Sequence, residues 1–137
     1  MKKNTKGFTL IELLAVIVIL AIIALIATPI VLNLIGKARQ AAAARSAEGI
    51  RSSLKTQYYA NLALNPDAAT KAVNVDFATT TEVYGEALTT IIDGKLPTAG
   101  TITIATDGAV TGNGLLIDGY SCSFGATGSA TCDKSNS

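Results

Sequence analysis

Glu12 is the one charged side chain in an apolar run of 29 residues, FTLIELLAVIVILAIIALIATPIVLNLIG, from Phe8 to Gly36. Placing a carboxylate in such a segment costs a few kcal/mol on membrane-insertion scales, so by default it has a function or a partner. The next cation along the chain is Lys37, too far away to be an i,i+4 mate on the same helix. A cut between Gly7 and Phe8 would create a partner of a different kind, the new α-amino group of Phe8. The amine of one copy and Glu12 of its neighbour would then neutralise each other in a low-dielectric setting, where an unpaired charge is costly and a paired one tolerable. Such a pair would set the axial register of packed helices. The alternative is a Glu12 that sits at headgroup depth and is simply hydrated.

Other residues offer less chemistry. The chain has no His and no Trp, which excludes Ser/His/Asp and Cys/His catalysis and any His-ligated metal site. It holds no credible nucleophile and base pair, so no catalytic residue, metal or cofactor is expected. Cys122 and Cys132 are the only cysteines. In a short chain with a membrane-directed start, an even count favours a disulfide outside the cytoplasm. A reduced pair or two ligands of an incomplete metal site are the alternatives. Asp107 and Asp118 are each followed by Gly, which turn chemistry explains without calcium. Gly112-Asn113-Gly114 lacks the third glycine and the helix of a phosphate loop and reads as a turn. Formal charge is +1, and losing Lys2, Lys3 and Lys6 would leave a slightly acidic product, so bulk attraction to nucleic acid is not indicated.

The elements that must position these residues follow from periodicity. As a helix, the run from Phe8 would reach roughly 40 Å, enough to cross a bilayer. It is longer than the apolar region of a secretory signal peptide and lacks an early small-x-small cleavage site. Lys2, Lys3 and Lys6 on one side face Lys37, Arg39 and Arg45 on the other, so flanking charge does not set orientation. From Leu34 to about Asn61 the pattern turns amphipathic, with Ala43, Ala47, Ile50, Leu54 and Tyr58 on one face. Lys37, Arg45, Glu48, Arg51 and Lys55 fall on an adjoining face. Without interleaved aromatics, that face reads as solvated or subunit-contacting rather than nucleic-acid-binding. Asn65-Pro66 stops the helix, and residues 61–78 read as a loop with a helical turn near Asp67 to Lys71. Thr79 and Glu82 form a capping box opening a short second helix that ends at Gly94. Beyond Pro97, two Asp-Gly hairpin signals organise four short antiparallel strands, with Cys122 and Cys132 closing a loop after the last. The fold class is α+β.

The residues Lys6-Gly7-Phe8-Thr9-Leu10-Ile11-Glu12, followed by an apolar run containing Pro29, closely resemble the processing motif of type IV prepilins and pseudopilins. The likeness spans about residues 1–40; beyond that only the layout of elements matches. The leader and the apolar run also look similar to those of Gram-positive prepilins. The resemblance implies a type IV pilin fold, a long N-terminal helix packed by its C-terminal half on a small antiparallel sheet. It implies residues 1–7 as a cleaved leader, 8–60 as the helix (8–36 membrane or filament core, 37–60 amphipathic) and 61–137 as a globular β domain with a disulfide loop. Gly7 would precede the bond cut by a prepilin peptidase, Phe8 would become the N-methylated first residue, and Glu12 would serve subunit docking. Pro29 matches the family's helix-interrupting proline; it cannot donate to the Leu25 carbonyl and crowds that turn, so a kink or unwound stretch is expected. Implied partners are identical subunits in a helical polymer, the peptidase, a membrane platform protein and cytoplasmic ATPases. The chain would pass from the cytoplasmic membrane to an extracellular filament serving adhesion, motility or DNA uptake. The alternative is a pseudopilin of a secretion or competence machine.

Overall fold

The computed structural model describes residues 7–136; of the expected leader, all but Gly7 lies outside the described residues. The chain divides into two units, Met1–Lys37 and Ala38–Ser137, and helix α1 (Leu10–Leu64) begins in the first and ends in the second.

In the first unit α1 is opened by a reciprocal cap. The Thr9 N–H donates to Glu12 Oε2 at 3.1 Å and the Glu12 N–H donates to Thr9 Oγ1 at 3.3 Å. Two donors that the first turn would leave orphaned are thereby satisfied. From there the helix presents apolar side chains all round. Phe8 is 91 % exposed and Leu20 58 %, because among the described residues no other element of this unit packs against them. It is a helix long and apolar enough to cross a membrane. The helix runs on through Pro29 without interruption, so the unwound stretch expected there is not a feature of the isolated subunit. The Thr28 hydroxyl donates to the Ala24 carbonyl at 2.6 Å, a back-bond that often bends helices.

The second unit is a sheet covered by the C-terminal half of α1. Ala43, Ala47, Ile50, Leu54 and Tyr58 are buried, at the 3–4 residue spacing that keeps one stripe on the core. A 3-10 turn (Pro66–Thr70) follows, then strands β1 (Val73–Asp76), β2 (Glu82–Val83) and β3 (Glu86–Ala87). Next come the single helical turn α2 (Leu88–Ile91) and strands β4 (Thr101–Ile104), β5 (Val110–Ile117), β6 (Tyr120–Phe124) and β7 (Thr131–Lys134). The main sheet runs β1-β4-β5-β6-β7, and β2 and β3 form a separate hairpin; all pairings are antiparallel. Ile102 and Ile104 of β4 point into the core while Thr101 and Thr103 face out, the period-two alternation of a half-buried strand.

In β5 that alternation is reset. Val110 and Gly112 are buried, Asn113 and Gly114 are both exposed, and Leu115 and Ile117 are buried again. The register against β6 slips between Gly112 and Leu115, a bulge in which one surplus residue re-aims the strand. Gly112 has its own reason: a Cβ there would lie 2.6 Å from Phe124 Cζ, so its missing side chain is the space the Phe124 ring occupies.

The α+β expectation is borne out, with corrections of detail. The second helix is reduced to α2, because Tyr84 and Gly85 take φ of 55° and 79° and make a two-residue turn between Val83 and Glu86. Thr79 is no N-cap; its N–H and that of Thr80 are donated to the Asp76 carbonyl at 3.0 and 2.7 Å. The expected loop over 61–78 contains the rest of α1 and the edge strand β1. The sheet has five strands, not four, since residues 110–117 form one bulged strand and residues 73–76 and 131–134 add two more. Asp118-Gly119 is the two-residue turn expected, with φ of 49° and 84°. At Asp107-Gly108 the connection is wider, closed by Gly108 N–H to the Ala105 carbonyl and Ala105 N–H to the Ala109 carbonyl.

Candidate functional site

Two places in the chain carry the residues singled out by sequence. The first is the start of α1. Gly7, Phe8 and Glu12 are all exposed, and Glu12 lies one helical turn from Phe8. Its carboxylate, accepting the Thr9 N–H, is directed at the helix N-terminus, where the positive end of the helix dipole favours an anion. The Thr9-x-x-Glu12 spacing that builds this cap is the sequence signature of a capping box. Two proton acceptors on one carboxylate leave room for a second donor beside the Thr9 amide. The arrangement can therefore bind a cation delivered near the end of the helix without first dismantling the cap.

The second place is the end of the sheet. Cys122 on β6 and Cys132 on β7 are directly paired across the ladder and joined by a disulfide with Cα atoms 4.1 Å apart. The bridge thus ties two strands rather than closing a loop beyond the last one, and both sulfurs are buried. It encloses the exposed residues 125–129. Helix α1 grips this loop from one side. Gln40 Nε2 donates to the Cys132 carbonyl, Glu48 Oε1 accepts the Ala130 N–H at 2.9 Å, and Arg51 Nη1 donates to the Gly125 carbonyl at 3.2 Å. The Arg51 guanidinium also lies over the Phe124 ring, 5.5 Å from its centre, within cation–π range. Glu48 and Arg51, expected on a solvated or subunit-contacting face, are instead structural contacts within the unit. Pairings 74 to 92 residues apart leave no mark in local periodicity.

The acidic turn residues are likewise occupied. Asp107 Oδ1 accepts the Ala109 N–H at 3.0 Å, and Asp118 forms an ion pair with Lys95 at 2.8 Å. That contact, chiefly the hydrogen bond from its ammonium to the carboxylate, raises the Lys95 pKa above its ordinary value. Both side chains are well exposed, so water screens the pair. Among the described residues no cluster of three or more potential metal ligands occurs. Tyr58 donates its hydroxyl to the Thr106 carbonyl at 2.6 Å and stands edge-on to Tyr84, ring centres 6.4 Å apart. Burial, and then the nearby Tyr58, push the Tyr84 phenol above its usual value.

Residues 2–28 match the family model for the prokaryotic N-terminal methylation motif, the signature of type IV prepilins. No characterised protein and no solved structure matches the chain. The matched segment contains Gly7, Phe8 and Glu12 and ends one residue short of Pro29. The motif indicates a precursor of the type IV pilin or pseudopilin kind, processed by a prepilin peptidase.

Proposed function

We propose that this chain, carrying the type IV prepilin signature, is the structural subunit of a type IV pilus. Residues 1–7 are removed between Gly7 and Phe8, the new amine of Phe8 is N-methylated, and the subunit waits in the cytoplasmic membrane on its apolar helix. It then polymerises with residues 8–36 bundled in the filament core, 37–60 linking core to wall, and 61–137 outside. The observation that carries this reading is an apolar helix that, among the described residues, nothing in its own unit covers and that holds one carboxylate. A lipid bilayer and a bundle of identical helices are the two surroundings that satisfy such a surface.

Glu12 is the docking residue. The amine of Phe8 on an adjoining subunit reaches the free lone pairs of the carboxylate, and the two charges compensate each other away from water. Pro29 supplies compliance. It removes the hydrogen bond to the Leu25 carbonyl, so this turn is the weakest of the apolar segment and the one to extend under tension. The role of the chain is mechanical; extension and retraction fall to ATPases and a platform protein in the membrane.

Mass spectrometry of purified surface filaments tests the reading. A mature chain that begins with methylated Phe8 is expected; a filament chain retaining Met1 to Gly7 would refute it. Long filaments made mostly of this chain mark a pilus, whereas loss of secretion or transformation on deletion, without such filaments, marks a pseudopilus.

A further inference from the structure

We propose that Asn113 deamidates in the folded chain, assisted by the hydroxyl of Ser123. Asparagine is lost when the amide nitrogen of the following residue attacks its side-chain carbonyl carbon, a ring closure that a Cβ on that residue obstructs. Asn113-Gly114 is the one Asn-Gly pair in the sequence. Both residues are exposed, and nothing lies within 4 Å of where a Gly114 side chain would begin.

The bulge supplies what a regular ladder would deny. Where strands pair in register, a backbone amide is committed to a neighbouring carbonyl. Here the register slips between Gly112 and Leu115, Gly114 turns to φ 63°, and its N–H donates to Ser123 Oγ at 3.3 Å. The same hydroxyl donates to Asn113 Oδ1 at 3.2 Å. One hydroxyl therefore accepts from the attacking nitrogen and donates to the carbonyl under attack.

The step balances without a cofactor. The Gly114 nitrogen bonds to Asn113 Cγ, its proton passes to Ser123 Oγ, and the Ser123 proton passes to Oδ1. The tetrahedral intermediate collapses as its hydroxyl proton moves to Nδ2, the Cγ–Nδ2 bond breaks and ammonia leaves. Water then opens the succinimide at either carbonyl, giving aspartate or isoaspartate. Each product adds one negative charge to an exposed site opposite Thr101 of β4. Asn4, Asn33, Asn61, Asn74 and Asn136 precede residues with side chains, and Asn65 precedes Pro66, which has no N–H. Those sites are expected to convert far more slowly.

The experiment ages the full chain in detergent at neutral and mildly alkaline pH, then maps each asparagine peptide for a gain of about 1 Da, with isotope-labelled water marking new carboxylates. Asn113 is expected to convert first. Ser123→Ala is expected to slow it about fivefold, the factor supplied by one neutral hydrogen bond, and Ser123→Thr to restore it. In denaturant all three chains should convert alike. Circular dichroism melts establish that the variants are folded. A folded chain in which Asn113 outlasts the other asparagines, or a Ser123→Ala rate equal to the parent's, would overturn the proposal.

Discussion

The two halves of α1 obey different solvents. Between residues 10 and 37 the helix is apolar on every side and its large side chains stand uncovered; between 38 and 64 an apolar stripe is buried under a sheet and its polar residues reach specific carbonyls and amides. The first half is stable as a helix through its own backbone bonds and needs other molecules for its surface, whereas the second is completed within the chain. Folding and assembly thus draw on separate stretches of one element, and a substitution should disturb one and spare the other.

The largest separation is expected at Glu12. Glu12→Ala should abolish surface filaments, or reduce them below a tenth of the parent level in sheared fractions, while the thermal melt of the second unit stays unchanged. Core and rod leucines provide the converse. Leu54 is 0 % exposed and Leu20 58 % exposed. Leu54→Ala should cost about 2–5 kcal/mol in denaturant unfolding, and Leu20→Ala should fall within about 0.5 kcal/mol of the parent. A large loss of stability in Leu20→Ala would show that the first unit is covered after all.

Joint replacement of Cys122 and Cys132 by Ser should lower stability by about 3 kcal/mol on chain-entropy reasoning for a separation of 10 residues. Glu48→Ala should cost about 1 kcal/mol and accelerate hydrogen exchange at Ala130, whose N–H loses its acceptor, without slowing filament growth. The smallest effect concerns alkali. The fold raises the Tyr84 pKa above 10.0, so it favours the neutral phenol. That contribution is complete below pH 10 and is lost as pH rises through the folded-state value. Tyr84→Phe should therefore decline less between neutral pH and strong alkali, a difference visible in paired urea titrations.

Local chemistry made the N-terminal segment legible: one acid in a long apolar run, a Gly-Phe junction before it, and a proline inside. The buried stripe of α1 from Ala43 to Tyr58 was equally plain, because 3.6-residue periodicity needs no knowledge of the partner surface. The hairpin at Asp118-Gly119 was read from its turn residues. What escaped was set by tertiary context. Strands β2 and β3 are two residues each and mimic a capped helix until Gly85 takes a left-handed conformation. Edge strand β1 has four residues and little alternation to detect. The grip of Gln40, Glu48 and Arg51 on the disulfide-bounded loop joins distant parts of the chain, and a charged helix face does not announce which carbonyls it will meet.

Strand β5 carries slack. Because Asn113 and Gly114 together occupy one step of the pleat, removing either would leave a regular ladder in which Leu115 and Ile117 still face the core. Lengthening meets the same slack: an isoaspartate at 113 inserts one carbon into the main chain at the very spot where the strand has already let go of its neighbour. A chemical scar that would throw an ordinary strand out of step lands where the step is already absorbed, so an old copy can bear its extra charge and keep its shape.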